Sequence, residues 1–442
     1  MKPLITLIFM SLLMSACNQP KSGENTDLRP VESSVLYEVN VRQYTPEGTF
    51  NAFAEHLPRL KSLGVDILWI MPIHPISKEN RKGTLGSYYA IQDYRAVNPE
   101  FGTIEDFKNL VKKAHTLGFR VLIDWVANHT GWDNPLLTQH PDWFLQKDGK
   151  IISPVEDWSD VAGLDYKNKD LRRYMIESME FWLKEADIDG FRCDVAAMVP
   201  TDFWNEARKS LDKVKPVFML AEAWEPELVG HAFDAGYAWD LHHLMNDIAQ
   251  GKKNGNDLCE YFAKTDTFYN SKSILMNFLD NHDENSHNGT IEKRMGEAFK
   301  SFALLIYTVP GMPLIYTGQE VGMDKSLLFF DKDCVDWSTH PELSEFYAQL
   351  DKLKHDNPAL KAGKTKGSFN IIKHDNLANV FAFTRESGKN KVMVIINLTD
   401  KQQTFNIQET SESQFSGYFG NGDKEFAYNI ILKPYEYNCY FL

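Results

Sequence analysis

Residues 66–73, DILWIMPI, form a continuous apolar run. A run of that length with no polar face is the signature of a strand buried on both sides in a parallel sheet. Just upstream, Phe50, Phe53, Leu57, Leu60 and Leu63 recur at helical spacing, and Gly64 marks the stop. Further upstream, Val35 to Val41 alternates as a strand should. Downstream the pattern repeats. Candidate strands fall at 120–128, 189–196, 217–224, 273–283 and 312–320, with a weaker one near 235–240. Helical stretches at about 103–117, 168–186, 201–213, 256–268, 290–308 and 341–356 separate them. Eight strand–helix units over about 320 residues predict an α/β chain folded as a closed parallel (β/α)8 TIM barrel.

The connection after the third strand, about 130–167, is rich in Trp, Asp and Pro. A link that long is expected to form a functional subdomain. Beyond residue 358 the character changes. Phe369 to His374, Val380 to Thr384, Lys391 to Leu398 and Tyr428 to Leu432 alternate apolar and polar, which predicts a C-terminal antiparallel β-sandwich over 358–442. The barrel itself is expected over 34–357.

At the other end, Lys2 precedes an apolar run, Leu4 to Met14, too short to span a bilayer. It leads into Leu13-Met14-Ser15-Ala16-Cys17, which resembles a bacterial lipoprotein signal. The resemblance implies removal of 1–16, acylation of Cys17, a polar tether over 17–33, and an exported protein held at a membrane. Cys193, Cys259, Cys334 and Cys439 are scattered without a CxxC pair, so neither zinc nor a disulfide framework is indicated. The net charge of −14 argues against nucleic acid, which demands a basic face. A neutral polymer makes no such demand, and no Gly-rich phosphate loop is present.

Parallel barrels place their chemistry at the C-terminal ends of the strands. Four candidate strands end in polar groups: Asp124 to His129, Arg192-Cys193-Asp194, Glu222, and Asp280-Asn281-His282-Asp283. Strand alternation puts Arg192 and Asp194 on one face and Phe191 and Cys193 on the other, so the charged pair is expected in the barrel mouth. Asp124 and Asn128 are read as falling on one side of their strand, with Asp124 serving a structural Arg–carboxylate network. Carboxylates converging beside an Arg and two His residues suit glycosidic cleavage, which needs one carboxylate as nucleophile and one protonated acid. Spacing alone leaves open which residue takes which part.

The segments DWVANH (124–129), GFRCDVA (190–196), the Glu of LAEAW (220–224) and FLDNHD (278–283) resemble the four signature regions of the α-amylase family of glycoside hydrolases. GMPLIYTGQE (311–320), GSYYAIQDY (86–94) and NPEFGT (98–103) resemble further segments of that family, and the likeness extends over about 35–440. It implies Asp194 as nucleophile, Glu222 as acid/base and Asp283 as the third carboxylate. It implies substrate contacts from Tyr89, His129, Arg192 and His282, with Asp124 and Asn128 in support. The substrate implied is an α-glucan or maltooligosaccharide, cut mainly at α-1,4 bonds with retention.

Two departures stand out. Many members hold calcium between barrel and third loop, yet here Gly163 stands where an Asp ligand is expected and Val195-Ala196-Ala197-Met198 offers no His. With only Asn128 left, that site is expected to be lost and no cofactor required, leaving 131–134 and 322–336 as places for calcium elsewhere. Val195, after the implied nucleophile, is frequent in members that accept α-1,6 bonds. An α-1,6-accepting glucosidase or a transglycosylase is therefore the first alternative, and a catalytically silent glycan-binding lipoprotein the second.

Overall fold

The computed structural model describes residues 28–407, 415–422 and 429–442. The expected signal segment, Cys17 and the tether up to residue 27 lie outside them. The last tether positions are packed: Arg29 pairs with Asp66, and Glu32 O accepts from Ala362 N.

Eight strands close into an all-parallel barrel in chain order. They are β1 (Leu36–Val39), β2 (Ile67–Ile70), β3 (Arg120–Trp125), β4 (Gly190–Cys193), β5 (Phe218–Ala221), β6 (Ala235–Tyr237), β7 (Ile274–Asn277) and β8 (Met312–Tyr316). Strand β8 pairs back to β1, Leu36 opposite Leu314. Alternation sorts the side chains. Leu36, Ile67, Trp69, Leu122, Leu220, Tyr237, Met276 and Leu314 fill the barrel interior. Val39, Leu68, Ile70, Val121, Ile123, Phe191, Cys193 and Met219 face outward into the larger core beneath the helices. The apolar run at 66–73 is explained by this double burial.

The outer helices are locally specified. Ile104–Thr116 starts at Thr103, whose hydroxyl accepts from Asp106 N while the Asp106 side chain accepts from Thr103 N. That reciprocal cap precedes a buried stripe of Phe107, Leu110, Val111 and Ala114. Two expected helices are broken. The stretch 50–63 divides into Phe50–Ala54 and Leu57–Leu63, the second opening with Pro58 in its first turn. The stretch 290–308 divides at Gly296, whose φ of 53° ends Ile291–Met295 before Phe299–Thr308 begins. The reading also passed over Trp239–Ala249, a helix directly after β6.

Strand β4 begins at Gly190, where an added Cβ would lie 1.9 Å from Phe218 O, so β4 and β5 approach closely only because the side chain is missing. That approach sets the spacing of the residues carried just past the two strands.

At the C-terminal end, β9 (Ser368–Ile371), β10 (Val380–Ser387), β11 (Asn390–Asn397), β12 (Gln403–Asn406), β13 (Gly417–Gly420), β14 (Asn429–Leu432) and β15 (Tyr437–Phe441) are antiparallel. Five form one sheet in the order β9-β10-β11-β15-β13, and β12 pairs with β14. Val380, Ala382, Met393 and Ile395 pack against Phe405, Ile430 and Leu432 between the two sheets. The opposite face, with Phe381 and Phe383, joins the core of the barrel helices.

Candidate active site

The strand ends bring the polar residues together. Asp194 N still donates to Trp125 O and Glu222 N to Cys193 O, so the ladder extends one residue past β4 and β5 and fixes both carboxylates. Arg192 lies between them, fully buried. Its Nη1 donates to Asp194 Oδ1 at 3.0 Å and to Asp124 Oδ1 at 2.9 Å, and its Nη2 stands 2.9 Å from Glu222 Oε2. Nη2 makes no aligned hydrogen bond. Nε donates to Tyr237 OH, and the guanidinium carbon sits 4.9 Å from the centre of the Trp69 ring. Trp69 Nε1 and Tyr89 OH both donate to Asp124 Oδ2. Asp124 is thus wholly occupied by protein donors, the structural role expected for it.

Val195, next to Asp194, has φ 37°, a left-handed conformation that is costly for a β-branched residue. The strain turns its N–H toward Glu222 Oε2, to which it donates at 2.7 Å.

On the far side, His282 is gripped from both nitrogens. Nδ1 donates to the buried Glu38 at 2.6 Å, and Nε2 lies 2.7 Å from Tyr89 OH and 3.4 Å from Asp283 Oδ2. Burial alone would lower its pKa, but Asp283 and Glu38 outweigh it and raise it to about 9. His282 is therefore a cation at neutral pH. It donates through Tyr89, whose own proton goes to Asp124. His129 is the opposite case: burial lowers it to about 3, so it is neutral. The Asn128 amide donates to its Nδ1, which leaves the proton on Nε2, 4.0 Å from Asp194 Oδ2. Asn128 itself lies in a bend, because β3 ends at Trp125; alternation from Asp124 does not extend to it.

Burial raises both Asp194 and Glu222. Repulsion from Glu222 adds to the rise at Asp194, and the charge of Asp283 adds to it at Glu222, while Arg192 opposes both. One guanidinium faces several carboxyls, so a proton on one of the pair is favoured over two charges. Asp194 receives the aligned Arg192 hydrogen bond; Glu222 has the guanidinium beside it and accepts from Val195 N instead.

These groups line a cavity of 320 Å³. Asp194, Glu222, His129, His282 and Tyr89 form its depth. Asp283, with its side chain 37% exposed, stands nearer the rim. All seven sequence-predicted catalytic and substrate contacts therefore converge, with Asp124 and Asn128 directly behind them. Asp280 does not join them, and pairs instead with Arg294 at 2.7 Å. Sequence reading missed Glu38, Trp69 and Tyr237, which orient the centre from β1, β2 and β6. Glu38 left a trace as the one carboxylate within an apolar alternating strand. It also missed the rim residues Lys82, Trp158, Phe329 and Phe330, which sit in loops without periodic pattern.

The calcium ligands fare as follows. Gly163 lies in a short strand opposite His129 and Val195-Ala196 bring no oxygen-bearing side chain, which leaves the Asn128 side-chain oxygen alone of that set. The residues present do not fit a calcium site there. In the two loops kept open for calcium, Asp133 accepts from Lys78 N, Asp331 from Thr84 and Asp333 from Lys325. Among the described residues no group of three or more His, Cys, Asp or Glu converges as a metal site.

Compared with known proteins, residues 19–419 match the family described as alpha amylase, catalytic domain. The chain is 27% identical over 413 residues to alpha-amylase 2 of Dictyoglomus thermophilum, covering 87% of this chain and 70% of that one. It is 27% identical over 392 residues to a cyclomaltodextrinase of Thermoanaerobacter pseudethanolicus, covering 82% of this chain and 65% of that one. It therefore spans about two thirds of the length of these curated relatives. Among solved structures it resembles an alpha-amylase of Lactobacillus plantarum, with TM-score 0.82, 31% identity, and coverage of 93% of this chain and 99% of that one.

Proposed function

This chain belongs to the α-amylase family of glycoside hydrolases, and on that premise we propose that it cleaves α-glucosidic bonds, mainly α-1,4, in starch-like glucans or maltooligosaccharides with retention of configuration. The observation that carries this reading is the pair Asp194 and Glu222 facing the two ends of one buried guanidinium at 3.0 and 2.9 Å. A retaining glycosidase needs two carboxyls beside the scissile bond, one as nucleophile and one as acid/base.

Asp194 attacks the anomeric carbon while Glu222 gives its proton to the departing glycosidic oxygen. A covalent glycosyl–Asp194 ester results. Glu222, now a carboxylate, removes a proton from water, which displaces Asp194 from the same face by which the leaving group departed. Asp283 holds sugar hydroxyls from the rim, His282 orients it from the depth with Nε2 at 3.4 Å, and neutral His129 donates from the other side. Five carboxyls, Glu38 included, surround Arg192 and His282, and the surplus negative charge stabilises the oxocarbenium-like transition state.

No calcium enters these steps, since the residues around Asn128 do not fit one. The products decide the reading. Starch, pullulan and maltooligosaccharides are incubated with the domain beginning after residue 30, and product anomers are followed by NMR. The α-anomer is expected first, and turnover of pullulan reports α-1,6 acceptance. Initial release of the β-anomer overturns retention, and binding without turnover on all three moves the protein to the glycan-binding alternative. Export and anchoring through Cys17 rest on Lys2, the short apolar run and the Leu13–Cys17 segment. Cys17→Ser should abolish acyl addition as read by intact mass.

A further inference from the structure

The rim of the cavity is uneven. The segment 76–86, which follows β2, crosses it and is tied on both flanks. Toward the loop after β3, Lys82 Nζ lies 3.0 Å from Asp160 Oδ1 and donates to Asp157 O at 3.0 Å, and Lys78 N donates to Asp133. Toward the loop after β8, Thr84 N donates to Asp331 Oδ1 at 2.8 Å and Leu85 N to Phe330 O at 3.0 Å. Gly83, at φ 63°, presses so closely that a Cβ there would lie 2.4 Å from Phe330 Cβ. Lys82, Asp160 and Phe330 all line the cavity, so this tie is its wall. The three loops belong to β8, β2 and β3; β8 and β2 flank β1 in the closed barrel, and β3 lies beyond β2.

Glu222 follows β5, across the barrel from β1. Beyond it the rim carries exposed side chains: Trp224 is 45% and Met198 44% exposed, the one after β5 and the other after β4. The departing oxygen takes its proton from Glu222, so the leaving group lies on this open side. The part of the glucan that stays on Asp194 lies against the wall. In an α-glucan that part is the non-reducing end.

From this geometry, and resting on the hydrolase reading above, we propose that the site is a blind pocket on the glycone side. The protein takes glucans by their free non-reducing ends and releases short fragments, and it does not cut within a long chain. The wall acts by exclusion, since a chain continuing past the glycone would have to pass through paired backbone and the half-exposed Lys82–Asp160 ion pair.

The test compares p-nitrophenyl maltooligosaccharides with free and with 4,6-O-ethylidene-blocked non-reducing ends, products being identified by mass. The free substrate is expected to turn over and the blocked one to be slower by on the order of 100-fold or more. Comparable rates on both overturn the proposal while leaving the hydrolase reading intact. Turnover of neither removes that reading, and the proposal with it. The triple variant Lys82→Ala/Thr84→Ala/Asp331→Ala, which removes the side-chain ties, should raise the blocked-to-free ratio. If the variant melts as a folded protein and the ratio does not move, the wall is not the cause.

Discussion

Two of the fully buried arginines of this protein keep opposite company. Arg192, at the end of β4, is met by Asp124, Asp194 and Glu222. Arg385, in β10, is met by backbone carbonyls alone: Nε donates to Ser368 O, Nη1 to Thr308 O at 2.9 Å, and Nη2 to Lys361 O at 3.0 Å. The carboxylates raise Arg192 further against the opposition of burial, whereas burial lowers Arg385. Carbonyls do not titrate, and Thr308 O belongs to the negative end of the helix Phe299–Thr308. Arg385 is therefore a rivet that holds the C-terminal sheet to the barrel. Arg192 sits among groups that can gain protons, and one of its nitrogens lacks an aligned partner. A buried charge with every donor filled by backbone serves the fold. One with spare donors and titratable neighbours serves chemistry.

The comparison breaks most visibly through Asp194→Asn. The amide keeps size and most hydrogen bonds but cannot form the ester, so kcat should fall by about 10⁴-fold or more with the melting curve little changed. Retained turnover would return Asp194 to the structural class. Arg192→Gln comes next. Burial, then Glu222, raise the Asp194 carboxyl, and Arg192 opposes both. In the proposed mechanism Asp194 works ionised, so removing the cation should shift the acid limb of the kcat/KM profile to higher pH and lower the maximum by about 10²–10³-fold. An unmoved acid limb would separate Arg192 from the chemistry.

Arg385→Met is expected to act on stability alone. Carbonyls left unpaired in a buried seam should cost about 3–5 kcal/mol, read as a lower melting temperature, while kcat/KM at 25 °C stays at the parent value. A change in KM would make the sheet part of the site. The smallest effect is expected from a chelator. Both arginines are held by protein oxygens, and the residues at the usual calcium position do not fit the ion. EDTA should therefore leave melting temperature and rate where they were, and a clear fall in either would show a metal that these residues do not reveal.

Much of this was legible beforehand for a definite reason. Parallel strands are buried on both faces, so runs such as 66–73 stand out against amphipathic helices, and chain order then dictates the barrel. The carboxylates were legible because Asp194 and Glu222 sit one residue past short apolar strands, where a charge has no structural excuse. Local breaks were harder. The interruptions near Pro58 and at Gly296 were written in the sequence but overruled by helical spacing on either side. Trp239–Ala249 was hidden by the strand reading that ran through to residue 240. In the C-terminal domain, β12, β13 and β15 went unread beside β9, β10, β11 and β14.

By itself the sequence determined the order of strands and helices, the barrel they close into, and which carboxylates stand at its mouth, because side-chain periodicity records which face is buried. Tertiary structure alone decided that Glu38 would charge His282, that Arg192 would divide itself between three carboxylates, and that three loops distant in sequence would tie into a wall on one side. Those outcomes depend on contacts between residues far apart in sequence, Glu38 with His282 across 244 positions and Thr84 with Asp331 across 247. No local pattern encodes distances that exist only once the barrel has closed.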